Sequence, residues 1–290
     1  MRIRTILAAI SGGSARRGIA DLACNVAHRF ESHVEALHVR ADPRELAMAA
    51  ADGLGVVLTD VIQLTEQEAR ESAASARQEF EAAARRHGIA QQSDPPPVGG
   101  DPALLRRSTG RWSELVGYAP QKISDRARFF DLLILGRSGR VVDEPHSESI
   151  EEALLTTGRP VLIAPAEPPK RFGDVIGLAW NDSPESAKAL AAAMPFLETA
   201  RDVRLLSVGQ TRASELAQHL AWYGIRASVD MIYPVKGAGI GELLLAAARD
   251  HGADLLVMGG YGHSPLREAL FGGATRHIVG TSRLPLLLTH

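Results

Sequence analysis

The chain has 290 residues, enough for about two domains of ordinary size. Hydrophobic residues make up 45% of it, charged residues 23% and aromatic residues 5%, which is typical of a globular protein with an aliphatic core. The formal net charge of −2 argues against the clustered excess of cations that non-specific nucleic-acid binding requires. The single cysteine, Cys24, excludes an internal disulfide and a CxxC metal or redox site.

The first apolar run, Arg4–Ile10, predicts a buried strand. It ends at Ser11-Gly12-Gly13, too early for the apolar core of a secretory signal peptide, and no stretch long enough to span a membrane follows. We therefore expect a cytoplasmic protein that does not bind membranes. Cys24 falls within the alanine-rich helix predicted next, and we expect a buried, unreactive thiol.

Three further strands are predicted in the first half, at Val34–Val39, Asp131–Gly136 and Arg159–Ile163. A long insertion separates the first two of them. It consists of an Ala/Gly stretch, a charged helix and a Pro/Gly segment: Met48–Gly55, Leu64–Arg86 and Pro95–Gly100. A linker with two adjacent prolines, Ala166–Lys170, then ends the first half, because proline interrupts helices and strands.

The second half alternates strands with helices more regularly. The predicted strands are Asp174–Asn181, Val203–Val208, Arg226–Ile232, Asp254–Met258 and Pro285–Thr289. The predicted helices are Ala187–Leu197, Ala213–Tyr223, Ile240–Arg249 and Gly273–Gly280. This alternation indicates a parallel sheet with helices on both faces. A glycine-rich stretch, Gly237–Gly241, follows an edge strand and is interpreted as the start of a helix and not as a phosphate loop.

The two halves repeat one plan, which indicates a duplicated domain. Four segments match in order: Arg4–Ile10 with Val175–Trp180, Val34–Val39 with Val203–Val208, Asp131–Gly136 with Asp254–Gly259, and Arg159–Ile163 with Leu284–Leu288. The predicted fold is therefore α/β, with two tandem domains at residues 1–165 and 174–290. Each is expected to hold a five-stranded parallel sheet in the order 3-2-1-4-5, covered by helices on both faces.

A glycine-rich loop follows the fourth predicted strand of the second half. It begins Gly259-Gly260-Tyr261-Gly262. After nine intervening residues, a second glycine pair, Gly272-Gly273, opens the last helix. Glycine permits positive φ and close backbone approach, and a helix N-terminus presents unpaired N–H groups and the positive end of a dipole. The pattern predicts a phosphate cradle at the carboxyl ends of the strands.

This order of elements and this spacing of glycines resemble the universal stress protein family in its tandem two-domain form. The resemblance covers nearly the whole chain apart from the insertion. It implies a stress-response protein that binds an adenine nucleotide, as ATP with or without Mg²⁺, in the second domain. The positions that it implies as nucleotide contacts are Ala179, Asn181, Val208, Met258, Gly259, Tyr261, Gly262, Gly272, Gly273 and Ala274.

Two of these positions depart from the family pattern. Asn181 stands where the family usually has Asp. The asparagine keeps an acceptor oxygen but loses the charge. Gly273 stands where the family has Ser or Thr, which keeps the backbone N–H but loses a hydroxyl to phosphate. The loop could therefore still bind a nucleotide or be vacated and used for something else.

The matching loop of the first half is degenerate. It keeps the first glycine pair in Gly136-Arg137-Ser138-Gly139 but has no second pair near Ser147–Ile150. Three acidic residues of this loop would repel phosphate: Asp143, Glu144 and Glu148. We expect the first domain to be a structural partner of the second.

Three classes of function stay open. The first is a nucleotide-binding protein with slow or no hydrolysis, since neither glycine loop reads GK[ST] and neither a general base nor an acidic metal cluster is evident. The second is an interaction protein whose loops bind a protein or another small ligand. The third is an enzyme such as a relative of the ATP pyrophosphatases. The segment Ser11–Ser14 argues against this class, because it lacks the Asp-Ser that such an enzyme is expected to have.

The resemblance also implies how the domains associate. It places the final strands, Pro160–Ala164 and Pro285–Thr289, at the sheet edge, where they pair between domains or subunits. The expected partners are an adenine nucleotide, the two domains as an intramolecular pseudo-dimer, and a second copy in a homodimer. No catalytic residue, metal site or nucleic-acid partner is predicted.

Overall fold

The computed structural model describes residues 2–10, 15–42, 58–137, 144–260 and 273–290. The chain divides into two compact units. The first unit comprises Arg4–Thr157 and Ala166–Pro168, and the second comprises Gly158–Pro165 and Pro169–His290 with the first residues of the chain. Each unit alternates helices with mostly parallel strands around an aliphatic core, which confirms the predicted fold class.

The first unit contains five described strands and four described helices. The strands are β1 (Thr5–Ala9), β2 (His33–Arg40), β3 (Ala90–Gln91), β4 (Thr109–Val116) and β5 (Leu132–Gly136). The helices are α1 (Arg16–Phe30), α2 (Leu58–His87), α3 (Ala119–Ala127) and α4 (Glu144–Thr156). The strands lie in the order β3-β4-β2-β1-β5, and every pair is parallel.

The second unit contains six described strands and four described helices. The strands are β6 (Val161–Ala164), β7 (Val175–Ala179), β8 (Asp202–Val208), β9 (Ala227–Ile232), β10 (Leu255–Gly259) and β11 (Leu286–Thr289). The helices are α5 (Pro184–Leu197), α6 (Ala213–Leu220), α7 (Ile240–Asp250) and α8 (Gly273–Thr281). The five parallel strands follow the predicted order 3-2-1-4-5 as β9-β8-β7-β10-β11.

Strand β6 differs from the other strands of the second unit. It pairs antiparallel with β11, and Leu162 stands opposite Leu287. The expected pairing of the two final strands is therefore present, and it buries the apolar residues of β11 completely. The segment Gly158–Pro165, which contains β6, falls within the second compact unit. The predicted boundary between the two domains, at residues 165–174, stays a prediction.

Two features of the first unit differ from the sequence expectation. Strand β4 was not predicted, although it pairs with β2 over its whole length. The predicted insertion helix Leu64–Arg86 is longer and spans Leu58–His87 as α2, which ends before Gly88 at a φ of 66°. Helix α2 contacts α1 through Arg86 Nη2, which lies 2.9 Å from Asp21 Oδ1. The stretch Met48–Gly55 lies outside the described residues.

Equivalent aspartates fix the amino end of the central strand pair in each unit. In the first unit, Asp131 Oδ2 accepts hydrogen bonds from the backbone N–H groups of Arg4 and Thr5 at 2.8 and 3.0 Å. In the second unit, Asp254 Oδ1 accepts from the N–H groups of Asp174 and Val175 at 3.0 and 3.1 Å. The matching Asp-Leu-Leu segments in the sequence are thus equivalent in structure.

Two substitutions of Asp254 should distinguish the effect of its hydrogen-bond acceptor from the effect of its charge on stability. Burial raises the pKa of the Asp254 carboxyl, and Oδ2 is buried with no hydrogen-bond partner among the described residues. Asp254→Ala removes both accepted bonds and should lower the free energy of unfolding by about 1–3 kcal/mol. Asp254→Asn keeps an acceptor and should cost much less in urea unfolding at pH 7.

The pH dependence gives a second readout of the same variants. A carboxyl whose pKa is raised by folding stabilises the folded state at low pH and loses that contribution as the pH rises through the folded pKa. The stability of the unsubstituted protein relative to Asp254→Asn should therefore fall as the pH rises from about 3.5 to 7. Equal losses for the Ala and Asn variants would contradict this role. Asp131→Ala is the matched variant in the first unit.

Candidate functional site

The described residues of the predicted nucleotide site meet at the carboxyl edge of the second unit's sheet. Ala179 ends β7, Val208 ends β8 and Gly259 ends β10. In the register, Leu178 stands opposite Val257, and Ala179 stands opposite Leu206. Because the ends of adjacent parallel strands share one edge, the backbones of these residues lie side by side. Met258, just before Gly259, is only 5% exposed.

Gly259 has a packing role that the sequence did not reveal. A Cβ atom built on it would lie 2.5 Å from the carbonyl carbon of Glu185 and 2.7 Å from its oxygen. Glu185 stands in the first turn of α5, whose N-terminus is capped by Ser183 Oγ accepting from Ser186 N at 3.2 Å. Only glycine allows the end of β10 to approach this turn so closely.

Gly273 differs from Gly259 in having no close neighbour among the described residues. It is the first residue of α8, and no atom of the described part of the chain lies within 4 Å of a Cβ built on it. Its φ is not in the left-handed region, so the position accepts other residues. Ala274, the next residue, packs on α7, where a Cβ built on Gly241 would lie 2.8 Å from Ala274 O. Gly241 thus lies within α7, as the interpretation of Gly237–Gly241 as a helix start predicts.

The loop after β7 carries an acidic side chain that sequence reasoning missed. Asn181 is exposed, and its Oδ1 accepts a long hydrogen bond of 3.3 Å from Ser183 N. The negative charge lies one residue further, at Asp182, which adopts a left-handed conformation with a φ of 61°. Asp182 accepts from Trp180 Nε1 at 2.7 Å and from Arg212 N at 2.9 Å, so it ties the end of β7 to the start of α6.

Two threonines also lie beside the start of the glycine loop. Gly260 N donates to Thr289 O at 2.7 Å, and Thr289 pairs with Gly259 across β11 and β10. A Cβ built on Gly260 would lie 3.9 Å from Thr275 Cγ2 in α8. Thr289 Oγ1 is buried without a hydrogen-bond partner among the described residues. No glycine spacing in the sequence could have pointed to this hydroxyl.

The corresponding edge of the first unit holds a partly buried cation. Arg137 follows β5, and its Nε and Nη2 atoms are buried without a hydrogen-bond partner among the described residues. Burial lowers the pKa of its guanidinium to about 10, which leaves it charged at neutral pH. Sequence reasoning read this loop only by its missing glycines and its acidic residues. Asp143 and Ser138 lie outside the described residues.

Three predicted contacts, Tyr261, Gly262 and Gly272, also lie outside the described residues. In the parts of the chain that the structure does describe, no three His, Cys, Asp or Glu side chains are placed to hold a metal ion. None of the helices in those parts is both long and apolar enough to cross a bilayer. Cys24 is fully buried, as expected, and desolvation raises its pKa to about 12, which disfavours the reactive thiolate.

We expect Gly259→Ala to destabilise the second unit because its Cβ would meet the backbone of α5. Overpacking of this kind costs about 1–3 kcal/mol, measured as the free energy of unfolding in urea. Gly273→Ala is the matched control and should be neutral or slightly stabilising. If the two variants were equally stable, Gly259 would not be a packing glycine.

Comparisons with known proteins agree with this architecture. Residues 235–290 match the universal stress protein family. A universal stress protein from Archaeoglobus fulgidus DSM 4304 aligns with 99% of this chain and 96% of its own, at 14% identity and a TM-score of 0.69. A putative universal stress protein from Pseudomonas aeruginosa UCBPP-PA14 covers 99% of this chain and 93% of its own, at 16% identity and a TM-score of 0.56.

A protein of unknown function from Pseudomonas aeruginosa PAO1 gives a similar result, with 99% and 92% coverage, 17% identity and a TM-score of 0.57. At these identities the solved structures establish the fold alone. Curated protein sequences gave no significant match. The family match over residues 235–290 and the fold of the full-length chain together confirm the resemblance of this protein to the universal stress protein family.

Proposed function

We propose that the second unit binds an adenine nucleotide at the carboxyl edge of its sheet and that the protein acts in a stress response from the cytoplasm. The observation that carries the proposal is that three strands end at one edge and that Gly260, just after β10, lies beside Thr275 in the first turn of α8. Gly259 and Gly260 precede the loop at this edge, and Gly273 follows it. The match of residues 235–290 to the universal stress protein family covers the whole of this loop.

The start of α8 suits the phosphates. Its first N–H groups have no partner inside the helix, and the helix dipole places partial positive charge there. Gly273 is exposed, and no atom of the described residues lies within 4 Å of a Cβ built on it, so these residues leave room for a phosphate oxygen at the backbone. The buried Thr289 hydroxyl close to Gly259 offers a further donor near the loop.

The strand ends suit the base and ribose. Backbone groups at Ala179, Val208 and Met258 border the edge, and Ala179 is only partly buried. Asn181 Oδ1 makes only a long hydrogen bond, so it can also accept from a ribose hydroxyl. The Asp182 carboxylate next to it favours hydroxyl donors over phosphate at this end. The nucleotide is therefore oriented with its phosphates toward α8.

We expect at most slow hydrolysis. The sequence has no GK[ST] motif to place a lysine on the phosphates. Mg²⁺, which keeps several waters and binds mainly through substrate phosphates in such sites, would arrive with the nucleotide. The proposed role is accordingly that of a nucleotide-responsive protein and not of an efficient ATPase.

A second candidate is an interaction module that has lost its nucleotide. Gly259 is explained by packing on α5 alone, and Asp182 is explained by its bonds to Trp180 and Arg212. Two features of the edge therefore need no ligand. In this alternative the loop contacts a protein or another small molecule.

We expect Gly273→Ser to tighten ATP binding because it restores a hydroxyl at the helix start. A hydrogen bond to a charged group contributes about 1.5–3 kcal/mol, which is roughly a ten- to hundred-fold change in affinity. The substitution fits because the backbone is helical and the Cβ position is open. Calorimetric titration with ATP, ADP and AMP measures the effect, which should be largest for ATP.

Gly273→Ala is the matched control, since it adds the Cβ without the hydroxyl. It should leave the ATP affinity within about three-fold of the unsubstituted protein, as expected for a change that makes no new polar contact. If Gly273→Ser folds normally and neither it nor the unsubstituted protein binds any nucleotide, the interaction module becomes the preferred function.

A further inference from the structure

A half-open cavity of the first unit lies at the opposite end of the sheet from Gly136, and part of the insertion borders it. The cavity has a volume of about 630 Å³ and is bordered by Thr5, His33 and Thr109, the first residues of β1, β2 and β4. Residues 92–96, 104, 105 and 107 form another wall. A volume of this size is ordinary for small-molecule sites. No residue of the proposed nucleotide edge takes part.

A charge cluster around a buried carboxylate lines this cavity. Glu35 in β2 is 2% exposed. Arg126 donates from Nε to Oε1 at 2.9 Å and from Nη2 to Oε2 at 2.7 Å, while Arg111 donates from Nε to Oε2 at 2.8 Å. Ser113 Oγ donates to Oε1 at 2.9 Å. Burial alone would raise the pKa of Glu35, but the hydrogen bonds from Arg126 and Arg111 hold it below its usual value.

The cluster leaves one positive charge without a matching carboxylate. Two guanidinium groups share the single Glu35 carboxylate. Among the described residues around the cavity, the charged side chains are four arginines and three acids: Arg4, Arg107, Arg111, Arg126, Glu31, Glu35 and Asp94. Burial and the nearby Arg111 lower the pKa of His33, so it adds no charge at neutral pH. An anion is therefore favoured over a cation.

Part of the remaining wall is apolar and exposed. Phe129 is 76% exposed and Leu105 is 54% exposed, and both border the cavity together with Pro95 and Pro96. The Arg126 guanidinium lies 5.5 Å from the centre of the Phe130 ring, so charge and apolar surface meet at one point. The Glu35 cluster explains how β2, β4 and α3 are held together, but it does not explain these exposed apolar side chains.

We propose that this cavity binds a small organic carboxylate with an apolar body. The carboxylate lies toward Arg107 and the uncompensated guanidinium charge of the Glu35 cluster, and the body covers Phe129 and Leu105. The inference is independent of nucleotide binding, because the two sites lie in different units.

Calorimetric titration of the full-length protein with octanoate and octanamide tests the proposal. The two probes share their apolar chain and differ in charge. Octanoate should bind at least ten-fold more tightly than octanamide, and excess ATP should not displace it. Phe129→Ser should weaken both probes by a similar factor, because it removes apolar surface and no charge.

Neighbouring arginines provide a matched pair of variants. Arg107 borders the cavity and Arg106 does not, although both are exposed. Arg107→Gln should weaken octanoate about three- to five-fold, as expected for an exposed ion pair, and leave octanamide unchanged. Arg106→Gln should change neither. Failure of octanoate to bind at millimolar concentration, equal binding of octanamide, displacement by ATP, or equal effects of the two substitutions would each overturn the proposal.

Discussion

In each unit a glycine ends the strand that lies beside the first strand, because the helix that follows the first strand occupies the place of a side chain. A Cβ on Gly259 would meet the backbone of Glu185 in α5, and a Cβ on Gly136 would meet the side chain of Ile19 in α1 and lie 2.9 Å from the Cβ of Ala15. At the other end of the same strand pairs, Asp254 and Asp131 accept hydrogen bonds from the backbone of the neighbouring strand. The pair is thus fixed at both ends, and the loops that emerge from it start from defined positions.

This packing constraint limits where a ligand could lie at the carboxyl edge of the second unit. Since α5 occupies the space beside Gly259, the ligand that we propose would lie beside Gly260 and the start of α8, where no described atom lies within 4 Å of a Cβ built on Gly273. The polar groups around it come from strands and loops far apart in the sequence, such as Asp182 and Thr289. The site that we propose therefore consists mainly of backbone groups, and few side chains take part in it.

The sequence predicted much of the second unit because its strands are short apolar runs bounded by turn residues and helix caps, as at Ser183. It did not predict β4, whose polar residues Arg111 and Ser113 bind a buried carboxylate and so interrupt the apolar pattern. Nor could it show that Gly259 is a packing residue or that Nε and Nη2 of Arg137 are buried without a hydrogen-bond partner among the described residues. Those properties depend on contacts between distant segments, which no local pattern encodes.

Hydrogen exchange of the full-length protein with and without ATP tests the central claim most directly, because it reports on each loop separately. If the second unit binds a nucleotide at its carboxyl edge, ATP should slow exchange of amides in the segment 259–274 and leave the segment 136–149 unchanged. Equal protection of both segments would show that the first unit binds as well. Protection of neither segment at saturating ATP would contradict the nucleotide-binding account.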